Sequence, residues 1–431
     1  MAQRIVIAGG GFGGFAAARA LEGRLTPQSA SVTLVNDANF MLYTPLLPGA
    51  AGATLDPRHV IVPLRSALRR TELLVGRVER CDPDAHALAV KRVDGELVTV
   101  RYDRLLVALG SVSRTLPVPG LSEHAIGFKS LADATALRNR VLTCLDVAES
   151  LERPQDRAPY LSFVFVGAGY AGVEGLAELQ DLAAQAIELY PRCRLQGMRW
   201  VLVEARERIM QEVPPALSAF ASAELRSRGI EVRVSTMLQE ASADAVVLSD
   251  GERIPARTLV WTAGVKPSPV VSQLRLPLSD AGRIVVDETM RVRDRAEVWA
   301  IGDCAAVPDP SGKGAQKGRP CPPTAQHAIR QGRLVARNIA ASLSHGRARR
   351  FRYRTAGVVA ELGHNEAVAI TLGVRWRGLP AWLIARTYHL LLMPGLGRKL
   401  RLLVDWNVAL AFGRDASAPG QLGTPAPLDV D

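Results

Sequence analysis

A chain of 431 residues with 48% hydrophobic and 22% charged residues has an ordinary globular composition and length for two or three domains, which excludes fibrous and disordered classes. Its formal net charge of +11 favours an anionic partner, but only 5% of residues are aromatic and no basic stripe is interleaved with them, which argues against nucleic acid. Cys81, Cys144, Cys193, Cys304 and Cys321 are widely spaced and odd in number, with no CxxC, so neither a disulfide framework nor a metal site is expected and a reducing compartment is the default.

The apolar run Ile5–Ala8 with Ala16–Ala18 resembles a signal peptide only superficially, because a block of glycines interrupts it. The segment from Arg4 to Ala8 suits a buried parallel strand. Gly9-Gly10-Gly11-Phe12-Gly13-Gly14 follows, and then a helix-like stretch from Phe15 to Leu21. Gly9, Gly11 and Gly14 fill the places of GxGxxG: one for the tight turn, one for close approach to a pyrophosphate, one for helix packing on the strand. The helix N-terminus then offers unpaired N–H groups to the phosphates. A second strand, Ser31–Val35, follows, and an acidic residue is expected at its end to hold a ribose hydroxyl. Asn36 and Asp37 stand there, and either can face the ribose.

The pattern returns later. Leu161–Val166 is a strand, Gly167-Ala168-Gly169-Tyr170-Ala171-Gly172 a turn, and Val173–Leu179 the start of a helix. After a helical insert, the strand Arg199–Val203 ends in Glu204, a carboxylate that would accept from a ribose and repel a 2′-phosphate. NAD is therefore favoured over NADP, with Arg206 as a mild counter-argument. Two complete fingerprints imply two dinucleotides, and the usual division is FAD at the first site and NAD at the inserted one.

Near the end, 379–393 and 398–412 read as two amphipathic helices separated by Pro394-Gly395. Both are shorter than the roughly 20 apolar residues that span a bilayer, so they are expected to lie at a membrane interface. From Arg375 to Arg414 the charges are Arg375, Arg377, Arg386, Arg398, Lys399, Arg401 and Arg414 against Asp405, a balance that suits an anionic leaflet. The same pair would also serve as a homodimer interface or as ordinary core, and the uses can coexist. Residues 415–431, rich in Pro and Gly, read as a disordered tail, and Pro308 to Pro323 as a loop rich in Gly, Pro and Lys near the active site.

Tyr102-Asp103-Arg104-Leu105-Leu106-Val107-Ala108-Leu109-Gly110 resembles the crossover motif of the two-dinucleotide-binding-domain flavoproteins, and Ala296–Asp303 resembles their second flavin motif, in which the Asp contacts the ribityl chain. Within that superfamily, residues 3 to 414 are most similar to type II NADH dehydrogenases, which pass electrons to quinone without pumping protons. The matching segments are Asn39–Pro48, Trp261–Pro267 and Pro322–Gly332. The resemblance implies an α/β fold of two Rossmann-like domains, the NAD domain (155–284) inserted in the FAD domain (1–120 and 285–340), with a membrane-association region (341–414).

The same resemblance places Gln326 beside the flavin and in the quinone pocket, and Glu174 near nicotinamide and flavin as a proton-handling candidate. Thr44, Pro45, Ala108, Gly110, Gly302 and Asp303 are expected at the flavin, and Tyr170 and Gly264 at the second dinucleotide. Ala356 departs from the family, whose members often carry lysine there. The implied chemistry is hydride transfer from NADH to FAD, then two electrons to a quinone, at the cytoplasmic face of the cell membrane. Rival readings are a sulfide:quinone oxidoreductase using Cys304 and Cys321, a soluble ferredoxin reductase, and a non-catalytic NAD/FAD redox sensor. A disulfide reductase is disfavoured because 38–55 contains no cysteine.

Overall fold

In a computed structural model, residues 2–309, 319–353 and 357–418 are described. The chain forms two compact units, each assembled from three separated segments: Met1–Tyr43, Ile61–Val112 and Val265–Thr355, and then Thr44–Val60, Ser113–Gly264 and Ala356–Asp431.

The first unit is built on a seven-stranded sheet in the order Val298–Ala300, Arg104–Val107, Gln3–Ala8, Ala30–Asn36, Glu72–Asp82, Ala87–Arg92, Leu97–Arg101. The first five strands are parallel and the last two return as antiparallel hairpins. Ile5, Val6, Ile7 and Ala8 are all buried, as a central parallel strand covered on both faces requires. The helix Phe12–Glu22 starts three residues earlier than its sequence suggests, so Gly13 and Gly14 belong to its first turn. It packs against the helix Ala325–Leu343, and the contact depends on glycine: a Cβ at Gly332 would sit 2.2 Å from Gly13 O.

The second unit contains a five-stranded parallel sheet in the order Ala125–Gly127, Thr258–Trp261, Ser162–Val166, Arg199–Val203, Ile230–Arg233. A three-stranded antiparallel sheet, Leu238–Ala241, Ala245–Leu248 and Arg253–Pro255, adjoins the same core. The helix Tyr170–Ala186 follows the second glycine turn, and the short helix Leu47–Ala51 packs on it. Gly357–Gly363, Glu366–Thr371 and Val374–Arg377 form an antiparallel meander, which leads into the helices Leu379–Leu392 and Leu396–Phe412. Gly395, with φ +88°, makes the break between them.

At 14 and 17 residues these helices are too short to span a bilayer, and among the described residues no helix is long and apolar enough to do so. Residues 415–418, expected in a disordered tail, are instead placed. Ala416 and Ala418 pack against the cluster around Leu142 and Leu145, and Asp415 O accepts from Arg138 Nη2 at 3.1 Å. The expectations for 310–318 within the loop, for Ala356, and for tail residues 419–431 lie outside the described residues.

Candidate functional site

The first glycine turn is shaped by backbone collisions that only glycine avoids. Gly9 has φ +105° and donates to Val35 O at 2.8 Å; a Cβ on it would lie 2.3 Å from Ala108 O. A Cβ on Gly14 would lie 1.8 Å from Gly9 O, whereas Gly11, the helix N-cap, meets nothing within 4 Å. The outer glycines are closed by protein and the middle one faces open space. Among the described residues no side chain caps this helix end, which leaves its first N–H groups without a side-chain acceptor there. Phe12 packs edge-on to Tyr43 at 5.5 Å. Asn36 Oδ1 accepts from Gly10 N–H at 2.7 Å, and its Nδ2 donates to Ala38 O at 2.8 Å and Phe40 O at 3.3 Å. Asn36 is thus a latch that holds the turn, and Asp37 beside it is the exposed carboxylate.

The second turn repeats this construction. Gly167, φ +104°, donates to Val203 O at 2.8 Å. A Cβ on Gly172 would lie 1.9 Å from Gly167 O, and Gly169 again meets nothing within 4 Å. Glu204 takes the place of Asn36: its Oε2 accepts from Ala168 N–H at 2.8 Å and its Oε1 from Arg206 N–H at 3.0 Å. Arg206 therefore contributes its backbone to the carboxylate. Thr262 Oγ1 donates to Gly167 O at 2.7 Å, and Gly264, φ +92°, turns away into open space. Tyr170 opens the helix with a buried hydroxyl that has no hydrogen-bond partner among the described residues.

In the first unit, Asp303 Oδ2 accepts from Ser111 Oγ at 2.5 Å, and Gly302 N–H donates to Gln331 Oε1 at 2.8 Å. Gly302 has φ +71° and Gly110 φ +66°, conformations suited to glycine. Ala108 N–H donates to Ala8 O at 2.7 Å, against the first turn. Gln326 lies in the first turn of Ala325–Leu343, and its Oε1 accepts from Tyr353 Oη at 2.8 Å. Arg330 stacks its guanidinium 4.1 Å from the Tyr353 ring. Gln331, 1% exposed, went unassigned in the sequence; its signal was one residue away from the glycine of the quoted segment. Thr44 and Pro45 form the 3-10 turn Thr44–Leu46, which belongs by its contacts to the second unit.

Glu174 stands one turn after Tyr170, and its Oε1 accepts from Glu361 N–H at 3.1 Å. Burial, and then the charge of Glu361, raises its pKa well above the usual carboxylate range. All five cysteines are buried and unpaired by disulfides. Burial pushes the Cys304 thiol up to about 11 and that of Cys321 to about 12, the opposite of what a redox-active thiolate requires.

The two C-terminal helices expose Leu383, Leu391, Leu396, Leu400, Val404 and Phe412 among other apolar side chains. Two of the seven cations counted there face inward. Arg386 lies 3.9 Å from Glu361 and Arg414 lies 2.7 Å from Glu178, with side chains 15% and 9% exposed.

The family described as pyridine nucleotide-disulphide oxidoreductase matches residues 3–332. A type II NADH:quinone oxidoreductase of Mycobacterium tuberculosis is 30% identical over 427 residues, covering 96% of this chain and 89% of that protein. A probable NADH dehydrogenase of Dictyostelium discoideum is 27% identical, covering 96% and 91%. Among solved structures, NDH2 from Plasmodium falciparum in complex with NADH aligns with a TM-score of 0.89 at 18% identity, covering 97% of this chain and 100% of that one, which establishes the fold.

Proposed function

Since the chain belongs to the pyridine nucleotide-disulphide oxidoreductase family, and within it to the type II NADH:quinone oxidoreductases, we propose that it oxidises NADH and reduces a quinone, with FAD as resident cofactor. The observation that carries this reading is the repeated cradle, in which Gly9 and Gly14, and again Gly167 and Gly172, are closed against backbone while Gly11 and Gly169 stand open. Each leaves room for a diphosphate at a helix N-terminus, so the residues present fit two dinucleotides.

FAD, when bound, accepts the hydride of NADH and returns two electrons to the quinone. The residues proposed to hold it are Gly9, Gly11, Phe12, Gly13 and Gly14 at the diphosphate, Asp37 at the ribose, and Ala108, Gly110, Gly302 and Asp303 along the rest, with Ser111 orienting the Asp303 carboxylate. Thr44 and Pro45 are carried as flavin positions on resemblance alone. Asn36 acts indirectly, by holding Gly10. For NADH, Gly167, Gly169, Tyr170 and Gly172 frame the diphosphate, Gly264 leaves space, and Glu204 discriminates against a 2′-phosphate. Gln326, oriented by Tyr353, is the proposed quinone-lining residue, and Glu174 the proposed proton-handling one.

The exposed leucines of Leu379–Leu392 and Leu396–Phe412, with Arg375, Arg377, Arg398, Lys399 and Arg401, support peripheral attachment to an anionic membrane surface, each such cation contributing roughly 1 kcal/mol. The cytoplasmic face of the cell membrane is the side proposed, and the same apolar faces would also suit a homodimer.

The test is direct. Purified full-length protein should show a bound-flavin spectrum and oxidise NADH in preference to NADPH with soluble quinone analogues. A colourless polypeptide unable to take up FAD would overturn the reading.

A further inference from the structure

The antiparallel meander of the second unit has two hairpin turns, one at each end. Gly363 pairs with Glu366 across His364-Asn365, and Thr371 pairs with Val374 across Leu372-Gly373. In both turns the two central residues have positive φ, +48° and +61° in the first and +50° and +87° in the second. A two-residue loop of this kind matches the twist of its strands, and Asn, Asp and Gly adopt it at least cost. His364-Asn365 follows that preference. Its His364 N–H donates to Asp181 Oδ2 at 2.9 Å, which ties this end of the meander to the helix Tyr170–Ala186.

The other end departs from it. Leu372 stands in the left-handed region, where its Cβ crowds the following carbonyl, and its side chain is left 91% exposed. In water this residue is unfavourable twice, in its backbone and in its solvation. The strand Glu366–Thr371 holds it roughly 20 Å from the anchored turn, and packing among the described residues recovers neither cost. An apolar medium outside the chain would recover the second.

The neighbouring residues suit one such medium. Val374 and Trp376 alternate onto one face of the edge strand Val374–Arg377, and Arg375 and Arg377 onto the other, all four exposed. The Trp376 indole is held in place by its Nε1–H, which donates to Thr371 Oγ1 at 2.8 Å. An apolar tip, then a tethered indole, then guanidiniums is the order of groups that passes from acyl chains through headgroups to water. From Ala367 to Val404 the chain carries Arg375, Arg377, Arg386, Arg398, Lys399 and Arg401 and not one Asp or Glu, so no carboxylate of this stretch repels an anionic headgroup. An edge of four residues with two arginines is a poor template for a further strand, which disfavours a second copy pairing there.

We propose that the turn Leu372-Gly373 is a point of membrane insertion in addition to the two C-terminal helices: Leu372 enters the acyl region of an anionic bilayer, while Trp376 and the two arginines rest among its headgroups. The inference rests on the reading of the chain as a peripheral membrane protein.

Leu372→Asn is the discriminating change, because it gives the turn the residue that its backbone prefers. The variant should be no less stable to urea than wild type and should oxidise NADH with a water-soluble quinone at the wild-type rate. Its affinity for vesicles of phosphatidylcholine and phosphatidylglycerol in equal parts, measured by co-sedimentation of the full-length holoprotein, should fall about tenfold. Equal affinity of the two proteins overturns the proposal.

A second readout does not depend on the size of that fall. The five native cysteines are buried, so Leu372→Cys carries an environment-sensitive dye at the tip alone. On the same vesicles the dye should shift to the blue and be quenched by lipids brominated along their acyl chains. Dye that stays in water on vesicle-bound protein overturns insertion of the tip and leaves the helices as the anchor. Wild type that binds no vesicles overturns the membrane reading and the tip's role with it. A dimer seen in sedimentation that Leu372→Asn abolishes overturns the proposal by assigning the tip to a second copy of the chain.

Discussion

Arg414 lies two residues beyond the last helix, yet its Nη1 sits 2.7 Å from Oε2 of Glu178, in the helix that follows the second glycine turn. The same guanidinium donates to Gly52 O at 2.6 Å and Asp181 Oδ2 at 3.0 Å, and the Arg414 backbone N–H donates to Gln185 Oε1 at 2.9 Å. One side chain thus ties the end of the C-terminal helices, the 44–60 segment and the Glu174 helix into a single unit.

Removing it should be costly. Arg414→Met leaves two carboxyls, 5% and 3% exposed, short of a counter-charge. A loss of about 3–5 kcal/mol is expected from urea unfolding. Arg414→Lys should recover only part of it, since one ammonium cannot offer a planar fork to two carboxylates. Equal stability of wild type and Arg414→Met would show the pair to be solvated.

The two glycine turns can be separated by substitution. Gly14→Ala drives a methyl into Gly9 O and should yield protein that loses flavin on desalting. Gly172→Ala, with the matching clash at Gly167 O, should keep its flavin spectrum and raise the KM for NADH. Loss of flavin from both variants alike would contradict the assignment of one ligand to each turn.

Asn36→Ala should weaken FAD retention although Asn36 is not itself proposed to touch FAD. The change leaves Gly10 N–H, Ala38 O and Phe40 O without their side-chain partner, at a cost of roughly 1–3 kcal/mol. Asn36→Asp keeps the acceptor for Gly10 and should be milder. Equilibrium dialysis of flavin from the three proteins gives the ranking.

For coenzyme choice, Glu204→Gln is the informative change. A glutamine carbonyl can still accept from Ala168 N–H, so the turn survives while the negative charge goes. The NADPH to NADH ratio of kcat/KM should rise by on the order of tenfold. A strong wild-type preference for NADPH would reverse the role given to Glu204.

Stability should depend on pH through Glu361. Its carboxyl is held at about 7 when folded, against about 4.3 in an unfolded chain. Between those values the folded protein binds more protons than the unfolded one. Stability is therefore fullest below the lower value, falls as pH rises through the window, and is level above it. Urea unfolding at pH 5 and pH 8 should show this fall in wild type and a shallower one in Glu361→Gln.

Much of this protein was already legible in its sequence, and the reason is steric and local. A buried parallel strand must be apolar throughout, as at Ile5–Ala8 and Phe163–Val166. A chain that turns at φ above +100° against a neighbouring carbonyl must be glycine there, as at Gly9 and Gly167. Such demands leave their mark on consecutive residues, so both strand–turn–helix units and the two short amphipathic helices could be read directly.

The tertiary structure alone decided the partners. Nothing near Asn36 marks it as a latch on Gly10, and nothing near Gln331 points to Gly302. Arg386 and Arg414, which by composition belong with the cations of a membrane-facing surface, turn inward because carboxyls some 25 and 235 residues away in the chain are brought beside them by packing. The charge state of a buried group depends on what surrounds it in space, and that neighbourhood exists only once distant segments have folded together.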